Sequence, residues 1–346
     1  MKILHIINSD ENGGAQNLLA KVVNMDAEMQ ILCLWGDHIK STKYNTEKVF
    51  YLNNLKWDNL RNIIKVIFNS DIIHCHLSYS IYLGACFIFK KKILTEHSPH
   101  NNRARYRTLR LLDKLIYNRY DAVIAISASV SDSLKNKKVK AELIHVLDNG
   151  VDDSKIQFGV RNLRRVNQDN LNITLGMAAR FVEAKDQKFL IKAICNLDKN
   201  YNLCLAGDGP LLKQCQQLVR ELDVEDRVSF MGHVDKIDDF YKKLDVYVHS
   251  ANWEGFGLSV VEANFAGLPV IATNIEGLRE LMQATPEALF ERGNFDDFQR
   301  AINMILQDRS KIFGSQITEL SKYTLTRHVK ELKLVYEQLN RRNNNA

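Results

Sequence analysis

The sequence predicts an α/β chain of two doubly wound domains, each a parallel sheet covered by helices on both faces. Three observations lead there. Short apolar, β-branched runs alternate with segments of helical spacing, the scheme occurs once in each half, and a polar stretch without apolar period, "VDDSKIQFGVRNLRRVNQDN" (151–170), divides the halves. With 346 residues, 45% of them apolar and 25% charged, the chain is long enough for two cores. Domains are therefore expected at 1–155 and 156–325, with a terminal segment at 326–346.

In the first half the strand runs are "KILHII", "QILCLW", "KVFYL", "DIIHCH", "KKILTEH", "DAVIAIS" and "AELIHVL", and helices are expected at 14–25, 57–69, 79–89 and 104–119. The second half supplies "NITLGMAA", "NLCLAGDG", "RVSFMG", "DVYVHS", "PVIATN" and "ALFE" as strands. A closing segment, "HVKELKLVYEQL" (328–339), spaces Val329, Leu332, Leu334, Val335 and Leu339 as a helix does, and the polar tail after it is expected to fray. In such sheets ligands bind at the carboxyl ends of the strands, so a cleft between the domains is the expected site.

Composition narrows the function classes. The opening "MKILHIINSDENGG" passes straight into polar residues, and the longest apolar stretch, 81–89, falls short of a membrane span; a soluble cytoplasmic chain is expected. Cysteines 33, 75, 86, 195, 204 and 215 lack C-x-x-C spacing and are expected to be buried thiols. Net charge is +6, but residues 1–150 carry 21 basic against 14 acidic groups, and the remainder 26 against 27. Residues 90–140 alone hold 13 basic groups against Glu96, Asp113, Asp121 and Asp132. Such a window suits an anionic surface or a solvated helix face, and it lacks the interleaved aromatics of a single-strand nucleic-acid binder.

Strand ends are where chemistry is sought. "NGGAQ" puts Gly13 and Gly14 after the first strand without completing G-x-G-x-x-G, so the dinucleotide fingerprint is absent. "AARFVEAKDQ" places Arg180 and Lys185 on a loop entering a helix, and "HSANWEGFGLSVVEA" sets Glu254 and Glu262 about Gly255 and Gly257 at the start of another. A helix start attracts anions, because its first amides lack partners within the helix and the macrodipole adds positive charge. A diphosphate held on the amides after Gly257 and neutralised by Arg180 and Lys185 leaves both acids to accept hydrogen bonds from hydroxyls. Glu262, one turn inside the helix, then suits a ribose, and Glu254 a second sugar beyond the phosphates. A ligand of ribose, diphosphate and sugar is a nucleotide sugar.

Together, "EGFGLSVVEANFAGLPVIAT", "ARFVEAKD", "AGDGP", "DNGVD" and "NGGAQ" resemble the retaining GT-B glycosyltransferases of family four, the bacterial group that includes O-antigen and capsule enzymes. The resemblance covers nearly the whole chain. It implies two Rossmann-like domains facing a central cleft, the first taking the acceptor, the second the nucleotide sugar, with a terminal helix crossing back to the first. It further implies that Arg180 and Lys185 hold the donor diphosphate, Glu262 the ribose, and Glu254 the transferred sugar, with amides of Gly255, Phe256, Gly257 and Leu258 nearby. Gly232 and His233 would receive the base, and Gly13 and Gly14 would lie beside acceptor and diphosphate. His97 in "LTEHSPH" matches a histidine that approaches the donor sugar, with His100 as its rival.

Retention of configuration without a divalent metal or other cofactor is part of the same implication; no D-x-D stands at a strand end, and no His/Cys cluster has ligand spacing. The donor is expected to be UDP-linked, carrying a hexose or N-acetylhexosamine, and the acceptor a saccharide, such as a lipid-linked intermediate of surface polysaccharide assembly. The basic window then reads as docking on the inner face of the cell membrane, each cation near the surface adding about 1 kcal/mol. Salt-insensitive binding to anionic liposomes would exclude that surface. Two departures from the family pattern, Glu276-Gly277 and Glu291-Arg292, bear on the donor-sugar pocket. A nucleotide-sugar epimerase of the same fold and a non-catalytic carbohydrate-binding scaffold are the alternatives; incubation with donor but no acceptor distinguishes the epimerase by its product.

Overall fold

The computed structural model describes residues 1–11, 13–36, 46–53, 57–99, 107–152 and 172–342. It divides into two compact units, Met1–Gly150 with Leu325–Ala346, and Val151–Thr324. The first unit thus closes at Gly150 rather than at 155. Most of the polar stretch at 151–170 lies outside the described residues, as do His100, Arg103, Arg105 and the last four residues of the tail.

In the first unit β1 (Ile3–Ser9), β2 (Met29–Trp35), β3 (Val49–Tyr51), β4 (Ile72–His76), β5 (Lys91–Glu96), β6 (Ala122–Ala125) and β7 (Ile144–Val146) form one parallel sheet. Its order is β3-β2-β1-β4-β5-β6-β7. Each strand falls on an apolar run expected from the sequence, because a sheet covered on both faces has no solvent side to be polar. Helices α1 (Gly14–Asn24), α2 (Trp57–Asn69), α3 (Ser78–Gly84), α4 (Arg107–Tyr117) and α5 (Ala128–Asn136) connect them.

The helix expected at 79–89 stops early. It ends at Gly84, where a Cβ would lie 2.2 Å from Cys75 Sγ and 2.6 Å from the Tyr120 hydroxyl, and the chain then turns, leaving Ile88 81% and Phe89 58% exposed. Apolar content there marks a surface turn, not a packed helix face. The basic window is also partly spent on the protein itself. The Lys90 ammonium donates to the Phe68 and Ser70 carbonyls at 2.7 and 2.6 Å, Lys91 to Asn340 Oδ1 at 2.9 Å, and Lys92 to the Phe87 carbonyl at 3.2 Å. Cys86 and Cys195 are exposed, contrary to expectation, while the other four thiols are buried.

The second unit holds β8 (Ile173–Ala178), β9 (Tyr201–Ala206), β10 (Val228–Gly232), β11 (Val246–His249), β12 (Val270–Thr273) and β13 (Leu289–Phe290), all parallel, in the order β10-β9-β8-β11-β12-β13. Its helices are α6 (Gln187–Asn196), α7 (Leu212–Glu221), α8 (Ile237–Tyr241), α9 (Leu258–Phe265), α10 (Glu276–Arg279), α11 (Phe295–Gln307) and α12 (Arg309–Leu320). Strand order reverses between β1 and β4 in one sheet and between β8 and β11 in the other. At such a switch point the loops diverge to opposite faces and open a crevice at the strand ends.

The last helix, α13 (Leu325–Arg342), belongs to the first unit, where Leu325, Val329, Leu332, Val335, Tyr336 and Leu339 join the apolar core around β1 and β4. Leu334, counted in the expected stripe, is 49% exposed, since it stands off the face that the 3.6-residue period turns inward. Among the described residues no helix is long and apolar enough to cross a membrane.

Candidate functional site

In the second unit the β8 and β11 loops are stitched together by backbone groups. Asn252 N–H donates to the Ala184 carbonyl at 2.8 Å, its side chain to the Glu183 carbonyl at 2.7 Å, and the Ser250 hydroxyl to the carbonyls of Lys185 and Asp186 at 3.2 and 3.1 Å. Thr273, ending β12, accepts the Ala251 N–H at 2.8 Å and donates to the His249 carbonyl at 3.0 Å. This lattice fixes the backbones from which Lys185 and Glu254 project.

Their side chains meet. The Lys185 ammonium is ion-paired with Glu254 Oε2, and the same oxygen lies 2.9 Å from Nε2 of His249, the fully buried last residue of β11. Glu254 Oε1 accepts the Gly255 N–H at 3.0 Å. Burial alone would raise the Glu254 carboxyl, but the Lys185 charge and the His249 hydrogen bond outweigh it and hold the group well below the ordinary carboxylate range. Burial and the Lys185 charge together lower the His249 pKa, so the imidazole is neutral at neutral pH. Expected to stay free for hydroxyls, Glu254 is instead held by three groups of its own chain.

The adjoining helix begins as the sequence indicates. Gly257, at φ +96°, caps α9 without a side-chain hydrogen bond, and the first turn carries no acid; the Val260 and Val261 amides turn to the Gly257 carbonyl at 2.9 and 3.4 Å, and the positive end of the helix dipole meets no acidic side chain of that turn. Glu262 lies one turn in, half-buried, with Oε2 3.5 Å from the Tyr241 hydroxyl. It too has a partner. Phe256 is buried edge-on against Tyr323, at 5.1 Å between ring centroids, and acts as an anchor for the loop. In the Glu276-Gly277 pair the second residue keeps the glycine of the family pattern: a Cβ there would sit 2.4 Å from the Glu254 carbonyl oxygen, so glycine lets α10 lie against the Glu254 loop. Glu291 closes onto Asn274, whose side chain donates to it at 2.6 Å.

Arg180 is exposed on the β8 loop, and Gln187 Nε2 donates to its carbonyl at 3.0 Å. That loop is seated on the next by N–H bonds from Ala179 to the Ala206 carbonyl at 3.0 Å and from Phe181 to the Asp208 carbonyl at 2.8 Å. Gly232 ends β10, and His233 beyond it has Nε2 3.4 Å from Asp235 Oδ1 with half of its side chain exposed. Leu258 opens α9.

In the first unit Gly13 caps α1 and Gly14 begins it, with the Asn17 N–H donating to the Gly13 carbonyl at 2.9 Å. His97 follows β5 and belongs to a row of imidazoles. Its Nε2 lies 3.2 Å from His76 Nδ1, and His76 Nε2 lies 3.0 Å from His5 Nδ1. Beside them His74 is bonded at 2.7 Å through Nδ1 to the Tyr336 hydroxyl and at 2.7 Å through Nε2 to Thr95 Oγ1. Among the described residues His5 Nε2 and Asn149 Oδ1 are buried without a partner, and both residues line a small cavity of about 20 Å³ in this row. Burial pushes His5 down to about 3 and His97 to about 4, and holds His74 and His76 well below the ordinary histidine value.

Ring nitrogens of His5, His74 and His76 come within 4.8 Å of one another, a cluster that sequence spacing did not disclose. Both nitrogens of His74 are engaged by the Tyr336 and Thr95 hydroxyls and both of His76 by the His5 and His97 rings, so these nitrogens are committed to neighbours before any ion.

Residues 161–322 match the family described as Glycosyl transferases group 1, and residues 15–155 match Glycosyltransferase Family 4. Between them only the termini and residues 156–160 go unmatched. The chain belongs to the group 1, family 4 glycosyltransferases. A Bacillus subtilis (strain 168) protein named as glycosyltransferase EpsF is 25% identical over 312 residues, 79% of each chain. The lipopolysaccharide core biosynthesis mannosyltransferase LpsB of Rhizobium meliloti (strain 1021) is 24% identical over 246 residues, 66% of this chain and 68% of its own. Anabaena Alr3699/HepE, solved in complex with UDP and glucose, superposes with a TM-score of 0.84 at 20% identity, covering 98% of this chain and 100% of its own. That likeness is one of fold, GT-B.

In this glycosyltransferase His249 lies outside the family motifs, although "DVYVHS" sets a histidine at a strand end five residues before Glu254. The row behind His97 lies outside them as well. Alternation in "DIIHCH" puts His74 and His76 on one face of β4, and the register pairs His74 with His5 across β1.

Proposed function

We infer that this glycosyltransferase moves a hexosyl or N-acetylhexosaminyl residue, with retention of configuration, from a UDP-linked donor to a saccharide acceptor. One observation carries the reading: at the β8/β11 switch point a lysine, a carboxylate and an uncapped helix start converge. Cation and amides complement a diphosphate, and the carboxylate complements the sugar beyond it. Lys185 has three N–H donors and spends one on Glu254, so it can serve both groups. Arg180 adds a planar fork for phosphate oxygens. As the sugar–phosphate bond breaks, charge grows on the leaving diphosphate, where these fixed donors stabilise it without reorganisation. The acceptor hydroxyl then attacks from the face the diphosphate leaves. In this reading Glu262 takes the ribose, the Gly232–His233 backbone the base, His97 the donor sugar, and the Gly13–Gly14 loop the acceptor side. UDP in the HepE crystals and the core-polysaccharide role in the name of LpsB favour a UDP donor and a surface-polysaccharide acceptor.

The test is a panel of UDP-glucose, UDP-N-acetylglucosamine and GDP-mannose, read by thermal stabilisation and then by donor hydrolysis in EDTA. At least one UDP-sugar is expected to raise the melting temperature and to be hydrolysed to the anomer it began as. Indifference to every donor would sink the reading, and an inverted product would remove the mechanism.

A further inference from the structure

The Glu254 carboxylate has little acceptor capacity left. Two carboxylate oxygens offer about four lone-pair positions. Lys185 and His249 occupy Oε2, and the Gly255 N–H takes one position on Oε1. One remains.

The tautomer of His249 follows from its neighbours. An ionised carboxylate only accepts, so Nε2, 2.9 Å from Glu254 Oε2, carries the proton. Nδ1 is therefore bare and faces two hydroxyls, Tyr247 and Ser259, each at 3.4 Å. Tyr247 has a better acceptor in the Ala178 carbonyl at 3.2 Å, which leaves Ser259, on the first turn of α9, as the donor to Nδ1. The ring is fully buried and cannot turn to solvent for other partners.

Lys185 and His249 hold the same oxygen, but only Lys185 carries charge that a diphosphate would compete for. We propose that His249 is the positioning residue that keeps the Glu254 carboxylate aimed at the transferred sugar while Lys185 serves the diphosphate, leaving Glu254 to grip a single sugar hydroxyl through Oε1. The proposal rests on the reading of Glu254 as the sugar-binding acid. It assigns His249 no contact with substrate.

The experiment uses the full chain with whichever nucleotide sugar of the panel stabilises it most, and with its free nucleoside diphosphate. His249→Phe keeps a ring and removes the donor; it is expected to raise KM for the nucleotide sugar about tenfold or more, as loss of a hydrogen bond to a charged group does. The inhibition constant of the free diphosphate is expected to move less than about threefold, because the amides and cations that bind it are untouched. His249→Gln places an amide N–H near the position of Nε2 and is expected to restore KM to within about threefold. His249→Asn is polar but too short to reach Glu254 and should resemble His249→Phe, which keeps the test open if the phenylalanine variant does not fold. A structural role alone would weaken sugar and diphosphate binding together, and that result, or no change in KM, would overturn the proposal. Glu254→Gln is the control. If it binds the nucleotide sugar as well as wild type, the reading of Glu254 falls and takes this inference with it; if it binds poorly while His249→Phe binds normally, the inference alone fails.

Discussion

Lys185→Ala is expected to lower turnover by about a hundredfold or more, the usual consequence of losing one preorganised charge at a site of developing negative charge. The structure adds a second effect. Lys185 neutralises Glu254, a carboxylate whose side chain is only 15% exposed. Breaking a buried pair by removing one partner typically costs about 3–5 kcal/mol. The loss here should be smaller, since the N–H groups of His249 and Gly255 still serve the carboxylate and some solvent reaches it. The two effects separate in a double variant. Lys185→Ala with Glu254→Gln removes the uncompensated charge, so thermal stability should recover towards wild type while turnover stays low. A Lys185→Ala enzyme that turns over near the wild-type rate would remove the catalytic role, and recovery of rate in the double variant would show that lysine serves only to quiet the glutamate.

Acid should unfold the first unit at a pH where most enzymes of this size remain stable. His5, His74, His76 and His97 are held neutral by burial, all with pKa values below the unfolded value of about 6.5. In the unfolded chain they take up protons as the pH falls through 6.5; in the folded chain His97 does not until about 4 and His5 until about 3, and burial holds His74 and His76 well below the unfolded value as well. Proton uptake on unfolding makes stability fall with pH. The contribution is therefore fully present above the unfolded pKa and is lost as the pH drops towards the folded values. His5 and His97 each cost about 2 kcal/mol between pH 7 and pH 5. His74 and His76 act in the same direction, against the ~5–15 kcal/mol that holds a typical domain. Protection factors for hydrogen exchange, taken against the intrinsic rate at each pH, should fall steeply over that interval in peptides from β1, β4 and β5, with a flatter response in a His5→Leu variant. Equal protection at pH 7 and pH 5 would mean that the row is not buried and neutral in solution.

Strand positions were legible because a parallel sheet covered on both faces demands continuous apolar, β-branched runs, which survive in the sequence as a local signal. Lys185, Glu254, Glu262 and Gly257 were legible for a similar reason: each stands at a strand end or helix start within a few residues of the pattern that marks it. Helix limits were less so. Apolar content carries the expected third helix past Gly84 to residue 89, whereas the helix stops at Gly84, where only a glycine fits against Cys75 and Tyr120. Spacing alone admits Leu334 to the apolar stripe, and only the packing of α13 shows which side of the helix faces the sheet.

By itself the sequence determined the α/β class, the thirteen strands found among the described residues, and the order of the family motifs, and it nominated the residues proposed to complement a diphosphate and a sugar. Tertiary structure decided which of those residues spend their hydrogen bonds on each other. Lys185 and Glu254 are 69 positions apart, and His5 and His76 are 71 apart. Local spacing carries no record of such approaches, because they are set by strand order at the two switch points, and strand order follows from how the whole sheet buries its faces.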